Sequence, residues 1–312
     1  MTTPPTKHGS PGQPLPDITV QQLAYLDAVS EASTWAEAAA GLGVSPSALS
    51  QGLAELERRV GVTLFDRDGR RRALRAEARP VLTHARRVLA ATHDLTAWAA
   101  EINEGRAGRL RVGMIDAAAV HWFPDPLRQF REQRPGLELN LHVTSSASLL
   151  AGLVRGDLDV VVCVDPATPL EGVATEAVLE ESLDVYAPVD VSAEAADDPR
   201  RWGPWVMFPP GAHTRAVIET ALSAAGAPFV VVAESHQPEV LREMVALGVG
   251  WTVLPESADV AGHPRIRRVA AHPIASRRIV VARRQTGGGV ASGDLVAALT
   301  EAGRRLMARM PV

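Results

Sequence analysis

TWAEAAAGLGVSPSALSQGLAELE, Thr34 to Glu57, carries two short runs of helical periodicity on either side of a glycine-centred turn. Ala38, Ala39 and Leu42 share one face of the first run, and Leu49, Leu53 and Leu56 share one face of the second. Gly43 relieves the backbone at the turn. Ser45 suits the N-cap of the second helix and Pro46 its first position, where a missing N–H leaves no bond unmade. Small alanines let the pair cross closely, so that the second helix can protrude into a major groove. Its outward face would hold Ser47, Ser50 and Gln51, with Ala48 beside them, opposite the leucines. Hydroxyls reach phosphates or base edges, and a glutamine pairs bidentately with adenine. Ser45 and Pro46, at the start of that helix, complete the candidate contact set. The same helix pair also occurs in enzymes and helical bundles, so the flanking sequence has to decide.

Upstream, Ile18, Leu23, Leu26 and Val29, with Tyr25 beside them, predict an amphipathic helix from Ile18 to Ala32 that underlies the pair. Downstream, RRVGVTLFDRDGRRRALR places Asp68-Gly69 between two short alternating runs, which predicts a hairpin wing. Ten arginines between Arg58 and Arg87 face only Asp66, Asp68 and Glu77, a local excess of seven positive charges in a chain whose net charge is -4. A scattered charge run is usually a solvated face, but Arg67, Arg70, Arg71 and Arg72 crowd one hairpin tip and suit phosphate or minor-groove contact. From Glu77 to Asn103, Val81, Ala85, Val88, Thr92, Leu95, Ala99 and Ile102 repeat at alternating steps of four and three. Such a seam can pack on its own domain or pair with a second copy. The second is favoured because the flanking segments supply their own cores, and a paired helix would fix the spacing of two reading heads. EGRAG, through Gly108, reads as a hinge.

The 312 residues, 46% hydrophobic and 22% charged, are enough for two or three compact units. One cysteine excludes an internal disulfide framework and a cysteine-based zinc finger, in keeping with a reducing cytoplasm. The opening sixteen residues are rich in proline, glycine and polar side chains, lack an apolar signal core and predict a disordered tail. No apolar run is long enough to span a membrane.

From Arg109 the pattern changes to alternating strands and helices: RLRVGMI, Pro124 to Gln133, LELNLHV, SLLAGLVRG and LDVVVCV, then WVMFPP, TRAVIETALSAAG, FVVVAES, PEVLREMVALG and WTVLP. RRIVVARR and a helix from Asp294 to Arg309 would return the chain to the first of the two units. This predicts a mostly parallel sheet and a cleft at the carboxyl ends of its strands. Strand ends and helix starts nominate Asp116, Ala117, Thr144, Ser145, Ser146, Cys163, Val164, His213, Thr214, Ser235, His236, Gln237 and Trp251 as effector contacts. Free amides at Ser146, Thr214 and Gln237 favour an anionic group, which Asp116 opposes. Each nominee has a structural alternative: the hydroxyls as caps, His213 and His236 as loop residues, Cys163 as core.

The segment from Ile18 to Gly108 resembles the DNA-binding domain and linker helix of LysR-type transcriptional regulators, and the remainder resembles their effector domain. The match rests on WAEAA, LGVSPSALSQGLAELE, GVTLFDR, HARRVL, GRLRVGM, LRQFREQRPGLELNL, LVRGDLDVVV, PPGAHTRAVIE and LGVGWTVLPES in this order. It departs after the wing, where Arg75, Ala76, Glu77, Ala78 and Pro80 replace the family's usual threonine, glutamate, alanine, glycine run; the capping hydroxyl is absent, and Arg75 offers charge in its place.

The fold expected is α/β: an N-terminal winged helix-turn-helix (17–76) after a tail (1–16), a linker helix and hinge (77–108), and a two-subdomain, periplasmic-binding-protein-like effector domain (109–312). Its first subdomain would comprise about 109–183 and 268–312, its second about 184–267. The resemblance implies a cytoplasmic regulator that binds double-stranded DNA at an interrupted palindrome as a homodimer or homotetramer, with an unknown small-molecule effector and, for an activator, RNA polymerase as partners. No membrane partner, cofactor or metal is expected: the histidines from His121 onward lack HxxxH spacing. No nucleophile-elbow, P-loop or dinucleotide motif supports catalysis. The competing readings are an architectural DNA-binding protein without an effector and a solute-binding protein sharing the second fold.

Overall fold

A computed structural model of the chain describes residues 17–66, 73–104, 108–258, 260, 263–285 and 289–308. The chain divides into two compact units between Thr92 and His93.

In the first unit, Thr19 opens α1 (Val20–Glu31) with a reciprocal capping box: its hydroxyl accepts the Gln22 N–H at 3.2 Å and its own N–H donates to Gln22 Oε1 at 3.0 Å. Thr34 caps α2 (Trp35–Gly41), and the chain turns through Gly43 at φ +66°. Ser45 then caps α3 (Pro46–Val60), which ends on left-handed Gly61. Leu26, Ala38, Ala39, Leu49, Leu53 and Leu56 are buried together, with Leu42 half-buried against them. This is the core that the alternating apolar spacing dictates. The base of the wing is a two-way pairing in which Asp66 N–H donates to the Ala73 carbonyl at 3.0 Å and Arg75 N–H to that of Leu64 at 2.9 Å. Glu57 holds the strand entering the wing by accepting the N–H groups of Leu64 at 2.7 Å and Phe65 at 3.3 Å.

A single 3-10 turn, Ala76–Ala78, leads into the 26-residue α4 (Arg79–Glu104). Pro80 falls in its first turn, where it removes no helical hydrogen bond. Ala78, Leu82, Ala85 and Leu89 bury the start of this helix on the helix-turn-helix core, and Arg86 ties it to α1 through Asp27 at 2.7 Å and through Glu31. Of the heptad seam, Ala85 therefore serves its own domain, whereas Val88 and Leu95 are 44% and 62% exposed.

The second unit takes in the end of α4 from His93 and continues with β1 (Arg109–Met114), α5 (Pro124–Gln133), β2 (Glu138–Val143), α6 (Ser146–Arg155) and β3 (Val160–Val164). It continues with β4 (Val173–Pro188), α7 (Ala193–Asp197), β5 (Trp205–Met207), α8 (His213–Ala224), β6 (Val231–Glu234), α9 (Pro238–Ala246) and β7 (Thr252–Pro255). β8 (Ile266–Arg268), β9 (Ala275–Arg284) and α10 (Val290–Met307) complete it. The main sheet runs β2-β1-β3-β9-β4-β7, with β8 also on β4, and β5 pairs with β6 separately. Among the described residues, β1 pairs in parallel with β2 and β3, β5 with β6, and a single parallel bridge joins Trp205 to Trp251. The expectation of a mostly parallel sheet is corrected here, because the long strands β4 and β9 run antiparallel to each other and to β3 and β7.

Those two strands feed two cores. Val178 and Leu179 of β4, with Ile279 to Ala282 of β9, pack among β1, β3, α5, α6 and α10. Leu183, Val185 and Ala187 pack with β5, β7, α8 and α9. Val269, Ala270, Ile274 and Ala275 pack on the second core, and residues of the first core resume at Ile279 of β9.

Candidate nucleic-acid interface and ligand cleft

The start of α3 is rigid for a local reason: Ser45 Oγ accepts the Ala48 N–H at 3.2 Å and lies 3.0 Å from Ser47 Oγ. With Leu49, Leu53 and Leu56 inward, Pro46, Ser47 and Gln51 are exposed and Ser50 is half-buried. The helix thus presents neutral donors and acceptors at its tip. Cations follow only at its end, where Glu55 accepts hydrogen bonds from Arg58 and Arg59, which hold its carboxyl down at about 2. Arg75 adds a cation at the base of the wing, although its Nε lies 3.8 Å from Asp66 and 3.5 Å from Glu77. Arg67, Arg70, Arg71 and Arg72 lie outside the described residues.

In the second unit, β1, β2 and β3 end beside the starts of α6, α8 and α9 around a cavity of about 410 Å³. Asp116, Ala117, Thr144, Ser145, Ser146, Val164, His213, Thr214, His236 and Gln237 all line it. Ile115, Val143, Ser148, Phe208, Ala212, Pro238 and Arg277 complete the lining. Ser145 caps α6 by accepting the Ser148 N–H at 3.4 Å, while Ser146 Oγ accepts the Val164 N–H at 3.2 Å and joins α6 to β3. His213 Nδ1 lies 3.2 Å from the Val164 carbonyl. α8 begins at Ala212 without a side-chain cap; α9 also lacks one, but the amide expected to be free at Gln237 donates to Ser235, Pro238 has no N–H, and the Val240 N–H donates to the Gln237 carbonyl at 3.1 Å.

Three nominated residues sit elsewhere. Cys163 is wholly buried in β3, a central strand covered on both faces, and period-two alternation turns it away from the side that Val164 presents. Burial, helped by Asp165, pushes its thiol up to about 12. Trp251 packs among Trp202 and Trp205, with ring centroids 6.3 and 6.4 Å away, inside the second core. Ser235 accepts the Gln237 N–H at 3.1 Å and shapes the approach to α9 instead of the cavity wall.

Sequence reasoning missed Arg277, the most heavily buried charge in the cleft. Its Nε donates to Glu181 Oε2 at 2.8 Å and its Nη1 to Thr214 Oγ1 at 2.9 Å, while Glu181 Oε1 accepts the Ser257 N–H at 2.8 Å. Arg277 and Glu181 are 5% and 2% exposed, so the pair is a dry, charge-balanced floor across the two long strands. Removing one partner alone would strand the other charge. Among the described residues, no group of histidines, cysteines and carboxylates is arranged to hold a metal, and no helix is long and apolar enough to cross a membrane.

A reading head joined to a two-core, cleft-bearing domain is the arrangement of a one-component transcription regulator. Residues 20–79 match the family model for the bacterial regulatory helix-turn-helix protein, lysR family, and residues 103–304 match that for the LysR substrate binding domain. The chain belongs to the LysR family of DNA-binding transcriptional regulators and is not an enzyme. A probable hydrogen peroxide-inducible genes activator of Streptomyces viridosporus is 30% identical over 94% of this chain and 96% of its own length. The HTH-type transcriptional regulator CbbR of Xanthobacter flavus is 28% identical over 95% and 91%. Full-length CbnR in complex with its target DNA shares the fold at a TM-score of 0.53 and 22% identity, over 92% of this chain and 99% of that one.

Proposed function

We propose that this regulator binds an interrupted palindrome as a homodimer or homotetramer built on α4, and responds to a small molecule carrying an anionic group in the cleft of the second unit. The observation that carries the effector reading is the cavity itself: about 410 Å³, bounded by three helix starts, with apolar walls at Ile115, Val143, Val164 and Phe208. Positive helix ends stabilise an anion, and the apolar wall accommodates a hydrocarbon body. Arg277 contributes a donor without net charge, because Glu181 balances it, so specificity rests on hydrogen-bond geometry more than on bulk attraction. In this reading Ser47, Ser50 and Gln51 choose the site, and the arginines of the wing supply affinity. The setting is the cytoplasm, and as an activator the protein would engage RNA polymerase.

The peroxide response named for one relative is not carried over to this chain. Its single cysteine is fully buried, its thiol is pushed up to about 12, and a lone cysteine has no internal partner for a disulfide.

Thermal-shift titration of the full chain with small aliphatic and aromatic carboxylates, each beside its neutral amide, tests the effector reading. A carboxylate at a hundred times its dissociation constant stabilises by about 2.7 kcal/mol. At least one acid should raise the melting temperature where its amide does not. Saturable stabilisation by amides alone would overturn the anionic reading, and no response to either series would favour an architectural protein without an effector.

A further inference from the structure

Arg284 closes β9 at the end remote from Arg277 and is only 8% exposed. Its Nη1 donates to the carbonyls of Leu153 at 3.1 Å and Leu158 at 2.7 Å, so it satisfies the last turn of α6 and the loop beyond it. Its Nη2 donates to Asp94 of α4 at 2.8 Å and lies 3.8 Å from Asp159. Asp159 is held in turn by Arg111, through Nη2 at 2.7 Å and the backbone N–H at 2.8 Å. Two arginines and two aspartates thus form a balanced cluster where α4 meets β1, β9 and the end of α6.

The same guanidinium therefore terminates two struts that start in the cleft. α6 begins at Ser146 in the cavity wall and rises about 10 Å to Leu153, whose carbonyl Arg284 holds together with that of Leu158 just beyond the helix. β9 carries Arg277 at the cleft floor and Arg284 at its far end. Asp94 precedes the EGRAG segment, so Arg284 holds the helix at Asp94 itself and not only through the chain that follows.

We propose that Arg284 is a positioning residue that latches the carboxyl-terminal part of the linker helix, through Asp94, to the two elements that line the cleft, and so makes the helix orientation answer to the effector domain. The latch requires no particular ligand and goes beyond the effector reading. A buried guanidinium that serves two backbone carbonyls cannot follow α4 without releasing α6, so the helix and the cleft wall move together or part at Asp94.

Hydrogen exchange on the full-length protein tests this with two variants. Asp94→Ala removes the partly exposed end of the latch and leaves every α6 bond in place. It should speed exchange of residues 93–104 about tenfold, the loss expected for one charge-assisted hydrogen bond, with α1 and α3 unchanged. Arg284→Met should do the same and also expose the end of α6, and the double variant should exchange in 93–104 no faster than Arg284→Met alone. On a duplex selected for binding, Asp94→Ala should alter the DNA bend angle while affinity for a single half-site stays at the wild-type value, a readout that a purely structural ion pair would not move. Wild-type exchange in 93–104 for Asp94→Ala, additive effects of the two substitutions, or an unchanged bend would each overturn the proposal.

Discussion

Gly52 lies in the middle of α3, one residue after Gln51, and alanine there tests whether the reading helix is seated by close approach to α1. A Cβ on Gly52 would lie 2.6 Å from both Cδ2 and Cε2 of Tyr25. That ring is 7% exposed within the core, and its hydroxyl accepts a hydrogen bond from Gln21 at 2.8 Å. Reaching an ordinary contact of about 3.4 Å requires ring and helix to separate by roughly 0.8 Å, an overpacking strain of about 1–3 kcal/mol. Alanine returns about 1 kcal/mol of helix propensity. Packing wins, and Gly52→Ala should destabilise the first unit by about 1 kcal/mol, a fall of about 4–8 °C in its melting transition. The displacement also tilts the face that bears Ser47 and Gln51, so anisotropy titration should show weaker binding to a specific duplex and little change on random DNA. Tyr25→Leu in the same chain should recover part of the loss, with a coupling of at least about 0.5 kcal/mol. A Gly52→Ala protein that melts at or above the wild-type temperature and reads DNA normally would refute the proposed seating of α3.

Two further outcomes follow from particular side chains. Cys163 should resist iodoacetamide and hydrogen peroxide in the folded protein and react on unfolding. Its thiol stands at about 12 against an ordinary 9.0, so folding favours the neutral form; its contribution to stability is whole below pH 9 and declines as pH rises towards 12, which alkaline unfolding of Cys163→Ala beside the wild type would show. Leu95 is 62% exposed on α4, so Leu95→Asp should leave the folding stability within about 0.5 kcal/mol of the wild type yet shift sedimentation from dimer towards monomer. An unchanged dimer would remove α4 as the pairing element.

The reading head was legible because each of its determinants is local. Ser45, Pro46 and Gly43 act within a few residues of one another, and the leucines at 49, 53 and 56 need only helical periodicity to find the same core. Most of the cleft was legible for a related reason: strand ends and helix starts are marked in sequence, and they converge wherever such a sheet is built. Three failures mark where local rules stop. Cys163 and Val164 are adjacent in a strand, so only one of them can face a given side, and the choice depends on the pairing of β3 with β1 and β9. Trp251 follows a glycine turn as a cleft residue would, yet two other tryptophans claim it for the core. Arg277 lies in RRIVVARR, where four arginines look equally suited to solvent. Its burial depends on Glu181, far away in sequence, within a strand whose acidic residues hid its length. The useful signal was the pairing of these strands: once β4 and β9 are placed antiparallel, Glu181 stands opposite Arg277, and a buried ion pair at the crossing becomes the economical way to keep two charges out of water. Arg284, on the same strand, obeys the same logic at the other end, where its partner belongs to α4. The charges most relevant to coupling were therefore the least legible, because each is defined by a contact between elements that sequence periodicity treats separately.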